Sequence, residues 1–438
     1  MGILGPDEAR YAAVGRAMAA SGDWVTPRLW GSPWFEKPAL LYWMTALGFR
    51  AGLNEDLAPR LPVALLSVGF VLFFAWMVRR EFGERAAFYS AAMLGTSALW
   101  LGYSHVAVFD LPLSATFGAG MLLVMSDRRT LPQMAAAGAL LGAAMLCKGF
   151  VPCVLFLPAL WRLRRDWQQV ALIVLTAAVV AAPWYALVIA RNGQPFIDDF
   201  FWKQQFSRLT SPELQHVRPF WFYLPVMLAG FFPWTPLVLV CLRERALLRD
   251  QRVQFLLAWL LWGLVFFSVS LNKLPGYVLP LFPALAALTG IGLHRLKPVP
   301  RTADDPSHPA LLALCGAWIW LFPIAGGMLP QIFLHGLAGV NFSISPLWIL
   351  PALASGTLVW WLEERWAVAA IAGLATLCVV EIVLQIYPIM DRTVSARQYW
   401  KQQPSPVACS AETNRSWRYS LNYYATRDLP TCQSPPGQ

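Results

Sequence analysis

PRLPVALLSVGFVLFFAWMVRR, residues 59–80, holds a single charge, Arg60, before its closing Arg79-Arg80 pair. A helix needs ~20 mostly apolar residues to cross the hydrocarbon core of a bilayer, and 59–78 supplies them. Further stretches of this kind lie at 86–104, 110–125, 131–147, 149–161, 168–190, 220–241, 251–270, 277–294, 309–333, 345–362 and 366–388. The count is about twelve, with 149–161 short for the task. Pro183, Pro233, Pro236, Pro280 and Pro283 fall inside these stretches, as membrane helices tolerate. Composition agrees: 57% of the 438 residues are hydrophobic and 13% charged, about half the ~25% of a soluble domain. The expected fold class is therefore an all-α polytopic membrane protein.

A net charge of +10 would raise the question of nucleic acid in a soluble protein. Here no nucleic-acid partner is expected, and the informative property is the side of the bilayer on which each cation lies. Arg79, Arg80 and Arg85 share one side with Arg128-Arg129, Arg162 and Arg164-Arg165. Arg243, Arg245, Arg249 and Arg252, then Arg295, Lys297 and Arg301, and more weakly Arg365, follow on that same side. The positive-inside rule makes it cytoplasmic. The other side receives residues 1–58, the turns near Asp110, Lys148 and Lys273, the loop 191–219 and the tail from 389.

Three regions follow: a first outer loop at 1–58, a helical membrane domain at 59–388 with its loop 191–219, and a C-terminal segment at 389–438. Exporting 1–58 requires a preceding span or signal, so MGILG reads as the end of a further helix upstream. Glu8 to Gly22 suits a short helix lying along the interface, with Gly22 as its stop, and Leu40 to Leu53 reads similarly. Between them Pro27, Gly31, Pro33 and Pro38 mark a loop carrying Trp24, Trp30 and Trp34. Cys409 and Cys432 are placed to form a disulfide if the tail lies outside the cytoplasm.

Positive-inside bias works against outer cations, yet Arg10, Lys37, Lys148, Lys203, Arg208, Arg218 and Lys273 all map outside. Singly, each could be snorkelling or solvating a loop. Together, at several separate helix ends, they suggest an anion site, for which phosphate is the natural guest. Lipid headgroup binding without catalysis would give the same pattern. Asp7 and Glu8 add carboxylates in the first loop, and Asp110 lies between apolar neighbours at the outer end of a span. A carboxylate there is costly unless paired or functional; the alternative is that it caps the helix that follows, with Pro112 in the first turn. Tyr277 follows Lys273 on a Gly-Pro break, where irregular backbone lines a cavity. Glu36 and His216 could share a divalent metal ion, although two ligands are too few to define a site. No other cofactor is expected. P-loop, Rossmann, HExxH and GxSxG patterns are lacking, which argues against an ATP-driven pump.

GPDEARYA (5–12), SGDWVTPRL (21–29), WFEKP (34–38), VFDLP (108–112), CKGF (147–150), HVRPFWFY (216–223), FFPW (231–234) and LNKLPGYVLP (271–280) occur in this order. In these motifs the chain resembles the bacterial lipid A aminoarabinose transferases and their protein mannosyltransferase relatives. The resemblance covers most of 5–290 and implies a GT-C glycosyltransferase fold with about thirteen transmembrane helices, periplasmic interfacial helices and a small exported C-terminal unit. It implies a polyprenyl-phosphate-linked sugar as donor, lipid A or another envelope molecule as acceptor, and a place in the bacterial inner membrane with the site facing the periplasm. Carried over by motif, Asp7 and Asp110 match the catalytic carboxylates. Arg10, Tyr11, Lys37, Lys148, Arg218, Lys273 and Tyr277 fall where the substrates bind, and Glu36 and His216 where a structural metal ion could sit.

Attack opposite the carrier phosphate should invert the anomeric centre. With a hydroxyl acceptor Asp7 is the candidate base; with a phosphate acceptor it would position the nucleophile or balance charge. The tail departs from the family: some 50 residues remain after 389, read as a small αβ unit stapled by Cys409 and Cys432, which puts lipid A as acceptor in question. A transporter or flippase for an anionic lipid is the competing reading. It predicts ionisable groups at the bilayer midplane and internal repeats, whereas these groups sit at helix ends and no repeat is evident.

Overall fold

The computed structural model describes residues 1–207, 217–243, 248–295, 307–336, 339, 345–402, 409–410 and 414–432. His216 therefore lies outside the described residues, as do Arg208, Arg245, Lys297 and Arg301.

The chain is helical almost throughout. Helix α1 spans Pro6–Ser21, opening with Pro6 in its first turn and Asp7 and Glu8 where the helix dipole favours acids. Gly22 ends it in the left-handed region at φ 74°, donating to the Met18 carbonyl as the expected stop. Two-residue strands β1 (Arg28–Leu29) and β2 (Ser32–Pro33) pair around Trp30-Gly31, so the expected loop contains a tight hairpin. Helix α2 (Leu40–Arg50) packs along α1, and α3 (Leu57–Phe82) follows as the first long apolar helix.

Seven helical stretches among the described residues are long and apolar enough to cross a membrane, and Asp110–Met125, Phe220–Gly230 and Pro346–Trp361 are shorter apolar ones. Expected span 86–104 is divided into α4 (Glu84–Thr96) and α5 (Ala98–Tyr103). Ser97 is extended there, and the Ala98 N–H bonds the Phe232 carbonyl instead of continuing the helix ladder. Segment 149–161 is two short pieces, Val151–Leu155 and Leu157–Arg162, and neither spans. Each piece has a Pro in its first turn, which withholds an N–H from the ladder. Segment 220–241 is likewise interrupted, at Phe231 to Trp234.

Helices α6 (Asp110–Met125) and α7 (Leu131–Lys148) run side by side in opposite directions, bringing Asp110 and Lys148 to one end. On α7, Gly138 and Gly142 let the helix Trp167–Asn192 approach closely. A Cβ on Gly142 would stand 2.6 Å from the Ala177 carbonyl oxygen. Such spacing of small residues is how helices pack where lipid offers no hydrophobic drive. Pro275–Arg295 is the central stretch, 94% buried, whereas α3 presents Val68, Leu72 and Trp76 at 50–70% exposure, which only lipid makes favourable.

The basic loops meet at one end. Arg252 and Arg295 both bond Asp250, Arg252 reaches Glu81, Arg162 pairs with Asp127 and Arg129 with Asp166. The opposite end carries α1, α2, Asp110, Lys148 and Lys273.

Two expectations for the C-terminal region need correction. The last long stretch runs Glu364–Thr393 through a π-helical turn at Ile382–Ile386, so the boundary at 389 falls inside a helix. Beyond it, the described residues form helices Ala396–Gln402 and Arg415–Ala425 and one parallel bridge, Ser410 to Thr431; no sheet accompanies them. A disulfide joins Cys409 to Cys432. Helix Arg415–Ala425 lies on α1 rather than apart from it: Tyr424 Oη bonds Asp56, Tyr423 Oη donates to the Glu55 carbonyl, and Ile3 N–H donates to Tyr424 Oη.

Candidate active site

One turn into α1, Arg10 is buried and forks between two carboxylates. It pairs with Asp7 on its own helix, and its Nη1 lies 3.0 Å from Glu36 Oε2. Trp34, Tyr419 and Tyr11 surround the guanidinium at 5.6, 5.3 and 5.9 Å from their ring centres. Burial opposes its charge, but Glu36, Tyr11 and Asp7 more than offset this and hold it protonated above the ordinary arginine value. Glu36 also takes Lys37 Nζ at 3.2 Å and Tyr11 Oη at 3.3 Å. Burial, then Glu36, pushes the Tyr11 phenol well up, so it stays protonated and a donor. Asp7 is half exposed and Glu36 is not, so Asp7 is the carboxylate that an incoming group can reach.

A second cluster sits at the end of the long helices. Lys148 Nζ is 3.1 Å from Asp110 Oδ1 and 3.8 Å from the centre of the Tyr277 ring. No side-chain capping bond is made at the start of α6; Asp110 is engaged by Lys148. Tyr277 stands on a 3₁₀ turn, Pro275–Leu281, that replaces regular helix at the mouth of the central stretch. Nearby, buried Lys273 donates to the Arg218 and Ser270 carbonyls, and burial lowers its pKa. Among the described residues it has no carboxylate partner, whereas the Arg218 side chain is exposed. Lys203 pairs with Asp199 at 3.4 Å and is exposed.

The two clusters are joined by Tyr11 and Glu8, both singled out in the sequence, and by Tyr103, Tyr42 and Arg60, whose part in the site sequence reasoning passed over. Tyr103, at the end of α5, hydrogen-bonds the Gly276 backbone and lies in electrostatic range of Asp110, Asp7 and Tyr277. Tyr11 and Tyr42 both set their rings edge-on to Phe109, at 5.0 and 5.2 Å, one residue before Asp110. Buried Glu8 accepts two bonds of 2.7 Å from Arg60 and one of 3.0 Å from the Ala107 N–H, which fixes α1 against the turn leading to Asp110. The signals were present: Glu8 adjoins Asp7, and Arg60 is a charge in an apolar run. His105 bonds the Tyr387 hydroxyl.

The described donor set does not fit a divalent ion at Glu36. Arg10 and Lys37 already neutralise that carboxylate and would repel a cation. No group of three His, Cys, Asp or Glu among the described residues could hold a metal.

The helical membrane body that gathers these carboxylates and cations at one set of helix ends shares its GT-C fold with a solved transferase. A crystal structure of ArnT from Cupriavidus metallidurans bound to undecaprenyl phosphate matches with TM-score 0.77 and 26% identity, over 98% of this chain and 81% of that one. The family model for dolichyl-phosphate-mannose-protein mannosyltransferase matches residues 36–189. An undecaprenyl phosphate-α-4-amino-4-deoxy-L-arabinose arabinosyl transferase of Sodalis glossinidius is 33% identical over 416 residues, 87% of this chain and 72% of its own length. The namesake of Edwardsiella ictaluri is 34% identical over 309 residues. The chain belongs to this aminoarabinose arabinosyl transferase family. It spans about half the length of other curated relatives it matches, 55% in the Edwardsiella protein and 57% in that of Pseudomonas paraeruginosa.

Proposed function

We propose that the chain is an inverting glycosyltransferase. It moves one sugar from a polyprenyl phosphate to lipid A or another envelope acceptor, at the periplasmic face of the bacterial inner membrane. The observation that carries this reading is the gathering, on one set of helix ends, of a half-exposed carboxylate, Asp7, paired with Arg10, and of the cations Lys37 and Lys148, paired with Glu36 and Asp110. The relatives' names supply the donor class, undecaprenyl phosphate bearing 4-amino-4-deoxy-L-arabinose.

In this reading Lys37, Lys148 and Tyr277 hold the donor phosphate, with Arg218 and Lys273 at its entry. The bond from the anomeric carbon to the carrier phosphate breaks as the bond to the acceptor oxygen forms on the opposite face. The electron pair leaves with the phosphate, and fixed cations stabilise that growing charge without having to reorganise. With a hydroxyl acceptor, Asp7 takes its proton, and Arg10 holds Asp7 in place for it. With a phosphate acceptor the nucleophile is already anionic, and Asp7 orients it. Asp110 positions Lys148. Arg10, Glu36 and Lys37 form a structural ion cluster in which protein cations occupy the place proposed for a metal.

The test uses purified protein and undecaprenyl-phosphate aminoarabinose with lipid A. Asp7→Asn should abolish transfer while leaving undecaprenyl phosphate binding within about twofold, and Lys37→Met should weaken that binding. Full turnover by Asp7→Asn would refute the site.

A further inference from the structure

A cavity of about 470 Å³ lies between α1, the Trp30-Gly31 hairpin and the end of helix Arg415–Ala425. None of the donor-site residues lines it. Ala13 and Ala17 of α1 contribute its floor, Trp30 one wall, and Arg16, Arg427 and Asp428 its polar edge. The charges favour an anion. Arg16 gives an Nη1 N–H to the Tyr423 carbonyl at 3.0 Å, has Nη2 3.9 Å from the partly exposed Glu55 carboxylate, and lies 4.2 Å from the Tyr423 ring centre. The guanidinium is thus held in place while its five N–H donors exceed these partners. Asp428 is already engaged, accepting from Asn422 Nδ2 at 2.6 Å and pairing with Arg418 at 3.5 Å.

Trp30 supplies the second observation. Its φ is +51° and that of Gly31 +86°, the geometry of a tight hairpin turn for which Asn-Gly is the favoured pair. A bulky side chain there is strained by about 1 kcal/mol or more, and this chain places its largest flat ring at that point, against a cavity. An indole face beside guanidinium groups over a floor of methyl groups matches a sugar ring carrying an anionic substituent: CH faces stack on the ring while the anion takes the fork. Along α1, Arg16 lies nine residues from Asp7, about 13 Å at ~1.5 Å per residue, or roughly the reach of a disaccharide.

We propose that this cavity is a second saccharide site, taking a phosphorylated sugar unit. Given the transferase reading above, on which this last step rests, that unit is the distal part of the acceptor, whose nucleophilic end reaches Asp7. Saturation-transfer NMR with glucose 6-phosphate, glucose and inorganic phosphate on the purified full chain tests it. Glucose 6-phosphate should bind at least fivefold more tightly than either fragment. Trp30→Asn, which keeps the turn, and Arg427→Gln should each weaken it roughly fivefold, with undecaprenyl phosphate binding unchanged. Lys37→Met should weaken donor binding and keep glucose 6-phosphate binding, so failure of the donor site and failure of this site read separately. Undiminished glucose 6-phosphate binding by Trp30→Asn, or equal binding of inorganic phosphate, would overturn the proposal. A higher KM for acceptor in Trp30→Asn, with the KM for donor unmoved, places the site on the acceptor path; unchanged acceptor KM removes it from that path.

Discussion

Arg10 is the residue on which the first cluster turns, because one planar fork serves Asp7 and Glu36 together. Lysine offers a point charge in its place, so Arg10→Lys should lower kcat roughly 10²-fold, with the fold retained by thermal unfolding. Transfer within threefold of wild type would show that Asp7 needs no such orientation. For Asp110 and Lys148, in contact at 3.1 Å, a double-mutant cycle on kcat/KM (Asp110→Asn, Lys148→Met) should give a coupling of about 1–3 kcal/mol. Strictly additive losses would mean that the pair does not act as a unit. Much of this was legible in the sequence. Outer cations are costly to topology, and a carboxylate among apolar residues is costly to burial, so Arg10, Lys37, Asp110 and Lys148 announce themselves. Glu8 and Arg60 stand out as charges, but their pairing does not, because it is a contact made across 52 positions of chain. Tyr103 is an ordinary tyrosine until Gly276 and two carboxylates are brought to it.

Helices were legible by length and blurred by their breaks. A run of ~20 apolar residues identifies α3 with no further information. The division of 86–104 depends on the Phe232 carbonyl capturing the Ala98 N–H, a partner from a distant segment that hydropathy does not carry. The hairpin at Trp30-Gly31 escaped because Trp is a poor turn residue, and the C-terminal helix was read as a separate unit because its docking on α1 leaves no local mark. Close packing of α7 on Trp167–Asn192 is testable at this scale. Gly142→Leu would drive a side chain into the Ala177 backbone and should cost about 1–3 kcal/mol, seen as a lower unfolding temperature in detergent. An unchanged unfolding temperature would show that the two helices are not pressed together.

For the whole molecule, charge separates the two ends: arginines with loop acids at one, the carboxylate–cation site at the other. The positive-inside rule fixes this polarity from sequence, and the ion pairs around Asp250 show the basic loops in mutual contact. Burial raises the Asp250 pKa, but hydrogen bonds from Arg252 and Arg295 outweigh it and bring it to about 2. A folded value below the unfolded one means stability present above about pH 4 and lost as pH falls toward 2. Asp250→Asn should therefore lower the unfolding temperature at neutral pH, and the gap from wild type should close between about pH 4 and 2. A constant gap would detach that carboxylate's charge from stability. At the other end, the central claim is that the Asp7 cluster performs sugar transfer on a lipid phosphate. Its most direct measurement is single-turnover transfer from radiolabelled undecaprenyl-phosphate aminoarabinose by the purified protein in nanodiscs, wild type beside Asp7→Asn. The account predicts labelled acceptor from the wild type and none from Asp7→Asn, with donor bound equally by both. Equal labelling by the two proteins, or donor bound by the wild type without any transfer, would contradict it.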